Sequence, residues 1–322
     1  MNAVLIIDKP AGPTSHDVVN RVRRILQEKS VGHLGTLDPL ATGVLPLVIG
    51  NLTRLAQFYT ASEKTYEGAI RFGFATDTYD SAGEPTSPAQ PVTLSLDQVR
   101  EIASRFQGVI EQMPPPFSAK KIQGVPAYKL ARKHAEIALK PVQVEIKEFE
   151  ITRVGDAHVG ADAPVRAAEQ SSPGLVATFR ARVASGTYMR SVAHDMGKLV
   201  GCGAHLESLR RTAVGEFDLA DAHTLDELDA GFKAGQAEVL FIHPRKILPQ
   251  FPCVAANEEM VALIRTGRPV NLPELSPARL VKVFVGQREL IAIATRVAGT
   301  LFHAKIVLAG EPIAQSANGN RK

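Results

Sequence analysis

Cysteine is nearly absent: Cys202 and Cys253 are the two in 322 residues, far apart and in no CxxC pair. That scarcity excludes a disulfide framework and a structural zinc site, and it predicts a reducing, cytoplasmic setting. Long apolar runs are missing as well, and none approaches the ~20 residues of a bilayer-crossing helix, so no membrane association is expected. The opening MNAVLIIDKP holds one short apolar run before Asp8 and Lys9, too little for a signal-peptide core. There is no Walker loop and no GxSxG elbow. GCGAHL (201–206) lacks the third glycine and the preceding strand of a dinucleotide fingerprint. His194 and Asp195 form a doublet of the kind seen in metal hydrolases, but no further His and Asp ligands fall in order around it. No metal and no cofactor is expected.

What is present is an ordinary globular composition, 45% hydrophobic and 22% charged, long enough for one large domain and a small one. The 37 Lys and Arg against 33 Asp and Glu leave a net charge of +4. This mild basicity suits a nucleic-acid partner without requiring one. VLII (4–7), VLPLVIG (44–50), TYEGAIRFGF (65–74), VQVEIKEFEIT (142–152) and LVATFRARVAS (175–185) read as strands. Ser15 is the expected N-cap of a helix whose apolar face is Val18, Val22, Ile25 and Leu26, with Arg21, Arg23 and Arg24 largely off that face. Further helices are expected at 95–107 and at 187–200, the latter capped by Thr187. Three consecutive prolines exclude regular structure at the start of 111–133, and 154–174 reads as a polar surface loop. From about 245, VKVFVG and LIAIATRVAG suggest a small barrel-like module, followed by a polar tail.

The segment GHLGTLDPLATG (32–43) carries the most chemistry. Gly32, Gly35 and Gly43 permit sharp turns and close approach of another chain, and Pro39 disfavours helix at Asp38, presenting its carboxylate from a fixed loop. An isolated Asp-Pro is an ordinary turn with a solvated carboxylate. Likewise Tyr66, Tyr188 and Leu209 alone would be core residues, His33 a loop hydrogen-bonder and Arg190 a surface charge.

In combination they read otherwise. GHLGTLDPLATGVLPLVIG resembles the aspartate motif of the TruB-type pseudouridine synthases. IDKPAGPTSHDVV (7–19), KTYEGAIRFG (64–73), ASGTYMRSVAHDMG (184–197) and GAHLESLRRTAVGEF (203–217) are similar, in family order, to the motifs around it. The resemblance implies an α+β pseudouridine synthase fold with a long mixed, mostly antiparallel sheet, spanning 1–245, with an RNA-clasping insertion at about 111–141. A small β-rich PUA-like domain at 246–310 and a flexible tail at 311–322 would follow. It implies that uridine 55 in the T-arm loop of tRNA is isomerised, by a monomer of the bacterial stand-alone type that needs no guide RNA. Asp38 would be the catalytic carboxylate, paired with Arg190. His33 would help extrude the base, Tyr66 would stack on it and handle a proton, and Tyr188 and Leu209 would line its pocket. Lys9, Lys120, Lys121, Arg132, Arg210 and Arg211 are the candidates for RNA contact, although any one basic cluster is more simply a solvated surface.

Isomerisation breaks the N1–C1′ bond, turns the base and joins C5 to C1′, with no redox change. The carboxylate could attack C1′, attack C6, or take a proton from C2′, and the sequence leaves the three routes open. An ordinary Asp, with a pKa near ~3.9, is ionised at neutral pH.

Overall fold

The computed structural model describes residues 1–117, 121–122, 125–126, 140–156 and 174–308. Lys120, Arg132, most of the 154–174 stretch and the tail lie outside the described residues, and of Lys121 only the backbone is described.

The first part of the chain forms β1 (Ala3–Lys9), α1 (Ser15–Leu26), β2 (Val31–His33), β3 (Thr42–Ile49), β4 (Lys64–Phe72), α2 (Leu96–Ser104) and β5 (Gly108–Gln112). There follow β6 (Val142–Asp156), β7 (Leu175–Val183), α3 (Met189–Val200), β8 (Ala204–Val214) and α4 (Leu225–Lys233). The main sheet runs β1-β3-β8-β4-β7-β6-β5, and a short parallel strand at Ala222–His223 lies outside β1. Among the described strands of this sheet only that one and the β3/β8 pair are parallel, so the sheet is mixed and mostly antiparallel.

Packing explains the strand patterns. β1 and β3 are almost wholly buried, because one face joins the core cluster that also holds α1 while the other meets a second hydrophobic cluster. β7 alternates buried and partly exposed residues, since only one of its faces is covered. Phe72 and Phe179, fully or almost fully buried, each contribute roughly 1.5–3 kcal/mol of hydrophobic stabilisation.

Two helix starts differ from expectation. Thr14, not Ser15, caps α1, in a reciprocal capping box with Asp17. Ser15 is buried and its hydroxyl is used elsewhere, as described below. α3 begins after Tyr188 with no side-chain cap, and the Thr187 hydroxyl donates back to the Ala184 carbonyl. Gly201, at φ 82, closes α3 in the left-handed conformation.

The C-terminal part contains β9 (Cys253–Ala255), α5 (Glu258–Arg265), β10 (Val270–Asn271), β11 (Leu280–Val285), β12 (Glu289–Ala298) and β13 (Leu301–Val307). They make a five-stranded sheet, β9-β11-β12-β13-β10, rather than a closed barrel: its end strands β9 and β10 do not pair with each other. Phe284, Leu290, Ile293 and Ile306 of this sheet share one cluster with Val4, Ile6, Val44 and Val48 of the main sheet. The small β-rich part is thus seated on the face of β1 and β3 turned away from the cluster that holds α1.

Candidate active site

The Asp38 loop joins β2 to β3 and is held through its backbone. The carbonyls of Gly35 and Thr36 accept from the Arg211 guanidinium at 3.1 and 3.2 Å. The Leu37 carbonyl accepts from the Ser15 hydroxyl at 3.0 Å, and that same oxygen receives the Leu37 N–H at 2.8 Å. The Asp38 carbonyl accepts from Ala41 N–H, and the Pro39 carbonyl from Gly12 N–H at 2.9 Å and Lys9 Nζ at 3.3 Å. Gly35 (φ 133) and Gly43 (φ 99) sit where a side chain would be strained, and a Cβ on Gly43 would lie 2.2 Å from the Arg211 carbonyl oxygen. With every carbonyl from 35 to 39 engaged, the loop is preorganised, and the Asp38 side chain is left 36% exposed.

Arg190, on the first turn of α3, supplies the counter-charge. Its Nε lies 2.8 Å from Asp38 Oδ2, an ion pair in which the N–H is not aimed at the oxygen. The pairing is not bidentate, because the other two nitrogens are spent elsewhere. Nη1 donates to the Thr78 carbonyl at 3.1 Å and lies 3.6 Å from Asp80 Oδ2, and Nη2 donates to the Phe117 carbonyl at 2.9 Å. Asp80 is buried, and its Oδ1 accepts from the Thr78 hydroxyl at 2.6 Å and from Ala82 N–H. Sequence reasoning passed over Asp80. The dense run TDTYDSAG was a signal that this loop folds around its own side chains.

Tyr66, on β4, is buried opposite Arg211 of β8. Burial pushes its phenol above the ordinary range, Arg211 counteracts, and the Asp38 charge adds to the rise. The group is therefore a neutral phenol at physiological pH. Leu209, on β8 across from Gly68, is partly buried against the main core. Tyr188 is half-buried, with its backbone clamped by Gln112, which accepts from its N–H at 2.8 Å and donates to its carbonyl at 3.1 Å. His33, at the end of β2, accepts the Gly35 N–H on Nδ1. Burial holds its imidazole below the ordinary range, helped by the Arg211 and His16 charges.

The structure corrects two of the candidates for RNA contact. Lys9 and Arg211 are both 0% exposed and bonded to loop carbonyls, so neither reaches a phosphate. Arg210 is half-exposed and forms a two-point pair with Asp8, at 3.1 and 2.8 Å. Among the described residues no group of three or more His, Cys, Asp or Glu could hold a metal ion. The His194 ring instead stacks on Tyr79, with centroids 3.6 Å apart.

The buried amines give the site a measurable signature. Burial lowers Lys9 and Lys64 from 10.5 to about 8; the Asp38 charge opposes this at Lys9, and Arg211 adds to it at both. Below pH 8 folded and unfolded chains both carry these protons, and burying the charge is a constant cost. Between about 8 and 10.5 the unfolded chain binds protons that the folded chain does not, so stability from these groups rises with pH. Lys64→Met should therefore be stabilised relative to the parent near pH 7.5, with the advantage shrinking toward pH 10 in denaturant titrations. An advantage that does not change with pH would show that the Lys64 amine titrates normally.

Known proteins resemble this chain over most of its length. The TruB family pseudouridylate synthase N-terminal domain matches residues 23–189, and the tRNA pseudouridylate synthase B C-terminal domain matches 190–245. A tRNA pseudouridine synthase B of Solibacter usitatus is 46% identical over 311 residues, covering 96% of this chain and 100% of that protein. One of Opitutus terrae is 44% identical over 232 residues, covering 71% and 88%. In a solved Cbf5–Nop10–Gar1 complex, one chain shares the fold with a TM-score of 0.64 at 23% identity, over 95% of this chain and 84% of that one.

Proposed function

The chain belongs to the TruB family of pseudouridylate synthases, and on that premise we propose that it isomerises uridine 55 in the T-arm loop of tRNA, with Asp38 as the catalytic carboxylate. It is a tRNA pseudouridine synthase, an isomerase. The observation that carries the finer reading is the Asp38 loop itself: a part-exposed carboxylate on a backbone with every carbonyl held, faced by a buried guanidinium.

The chemistry follows from that placement. The Asp38 carboxylate lies beside Arg190 and meets the flipped nucleotide, whichever of C1′, C6 or the C2′ proton it engages. Tyr66 and Tyr188 offer aromatic faces and Leu209 an apolar one, offsetting the few kcal/mol that unstacking the base costs. The freed uracil turns about an axis through this pocket and C5 joins C1′. The C5 proton is then lost and N1 gains one. A neutral Tyr66 takes part in that transfer through its oxygen lone pair rather than as a phenolate.

The protein is proposed to work alone, as a monomer without guide RNA. Supporting this is its greater identity to curated tRNA pseudouridine synthase B proteins, 46%, than to the chain of the archaeal box H/ACA Nop10–Cbf5 complex, 24%. Lys120, Lys121 and Arg132 remain the proposed backbone contacts of the 111–141 insertion.

The deciding experiment is pseudouridine analysis of an isolated T-arm stem-loop after incubation with pure protein. Conversion at position 55 at a rate within about tenfold of full-length tRNA, ~1.4 kcal/mol of barrier, is expected. An inert stem-loop beside a reactive tRNA would extend recognition beyond the T-arm. If neither reacted until another RNA was added, the stand-alone reading would fail.

A further inference from the structure

Tyr79 holds a backbone conformation that bulky residues rarely adopt. Its φ is 66°, in the left-handed region that favours glycine, and a side chain of this size persists there only when its surroundings hold it. Its two neighbours are the residues that meet Arg190 Nη1, the Thr78 carbonyl at 3.1 Å and the Asp80 carboxylate at 3.6 Å. The Tyr79 ring lies flat on the His194 ring, with centroids 3.6 Å apart and planes 10° from parallel. His194 follows Arg190 by four positions on α3 and so shares its helix face. That face receives the loop twice, through a hydrogen bond at Arg190 and through stacked rings at His194. The His194 Nδ1 is buried and has no hydrogen-bond partner among the described residues, so the flat of the ring, not a polar pairing, makes this contact. Burial, then the Lys198 charge, hold the imidazole below its ordinary range against Asp195, and two neutral rings face each other at physiological pH. Other bonds shape the loop without touching α3: Asp80 Oδ1 accepts from Thr78 and Ala82, and Tyr79 and Ser81 are tied to Leu206 of β8 at 3.0 and 2.9 Å.

We infer that Tyr79 and His194 are a positioning pair, whose stacking seats the Thr78–Asp80 loop on α3 so that Arg190 is held with Nε facing Asp38. The inference rests on the proposed isomerisation. The direction of Nε is set by what holds the other two nitrogens of the planar guanidinium, and one of those holds is the Thr78 carbonyl. A loop released from α3 carries that carbonyl with it, and the guanidinium and the carboxylate beside it follow. Both rings act through Arg190, so their loss falls on the chemical step and not on substrate capture.

The test compares substitutions that keep the stack with others that remove it, by single-turnover kinetics on tRNA. Tyr79→Phe and His194→Phe keep two facing rings and should hold the saturating rate within about threefold of the parent. Tyr79→Gly suits the left-handed backbone better than tyrosine does but brings no ring. It should lower the saturating rate by about 10–10²-fold, as for a misplacement of up to ~1 Å, with half-saturation within about threefold of the parent. His194→Ala, a change that helices accept readily, should give a similar loss, and the two together no more than the larger alone. Full rate in Tyr79→Gly overturns the inference, as do additive losses. So does a His194→Phe as slow as His194→Ala, which would show that the ring nitrogens are used. A loss confined to half-saturation also overturns it, by making the rings a platform for RNA.

Hydrogen exchange reads the loop without any need for activity. The Ser81 amide, bonded to the Leu206 carbonyl, should exchange at least about tenfold faster in Tyr79→Gly and His194→Ala and at the parental rate in the two phenylalanine variants. Unchanged protection in the variants that lack a ring overturns the inference even where their rates fall. If Tyr79→Gly does not fold, His194→Ala carries both measurements. Failure of the isomerisation reading looks different: the parent protein would be inactive on every tRNA while the exchange pattern persisted.

Discussion

Asp38→Asn is expected to yield a folded protein that binds the T-arm with an affinity within about threefold of the parent and turns it over at least about 10³-fold more slowly. The change is isosteric, so the loop should keep its shape. Its carbonyls are held by Arg211, Ser15, Ala41, Gly12 and Lys9, and the Asp38 side chain takes no part in those bonds. Arg190 likewise remains buried with compensation, because the Thr78 and Phe117 carbonyls and the Asp80 carboxylate stay in place. What disappears is the negative charge that every available route needs, whether as a nucleophile or as a base. Removing it beside a phosphodiester chain should, if anything, favour RNA binding slightly. The measurement is single-turnover pseudouridine formation alongside filter binding of the same RNA. Activity within tenfold of the parent would end the assignment of Asp38.

The parts of the molecule legible in its sequence are those where local chemistry and tertiary use agree. VLII and VLPLVIG are continuous apolar runs because β1 and β3 are covered on both faces. The Gly- and Pro-rich loop announced a fixed turn because Gly35 and Gly43 do occupy left-handed backbone. β8 was not legible as a strand. Register shifts between Leu206 and Ser208 and between Arg211 and Ala213 break the two-residue alternation by which strands are read. α4 was passed over although Thr224 and Glu227 make a capping box at its start.

The charged residues were misread for a different reason. Lys9 and Arg211 look like surface cations until sheet register places them beneath the 35–39 carbonyls, and register is a non-local property. Ser15 misled in the same way: a serine at a helix start is ordinarily a cap, but here its hydroxyl bridges to Leu37 and Thr14 does the capping. Asp80 is the converse, a residue in a loop of its own kind whose link to Arg190 spans 110 positions (190 minus 80). The catalytic-loop sequence could name Asp38, but not the side chains that hold it.

Arg190→Lys tests whether geometry or charge is what Asp38 requires from its partner. The substitution keeps one positive charge near the carboxylate, so a purely coulombic role would survive it. The structure gives Arg190 a wider task. Nε faces Asp38, Nη1 holds the loop of Thr78 and Asp80, and Nη2 holds the Phe117 carbonyl at the end of the proline segment. These groups lie on three separate stretches of chain, and the planar fork meets them with divergent nitrogens. An ammonium has a single nitrogen on a shorter reach and would leave at least one buried carbonyl unpaired, at about 1–3 kcal/mol. The carboxylate would then be free to shift relative to the flipped base, and ~1 Å of displacement costs about 10²-fold in rate. The expected outcome is a saturating rate down by about 10²–10³-fold, half-saturation nearly unchanged, and a melting temperature lower by several degrees. Full turnover in Arg190→Lys would show that charge alone suffices and that the contacts to Thr78 and Phe117 serve only the fold. A loss confined to half-saturation would instead place Arg190 in RNA capture, a role its burial at 4% exposure argues against.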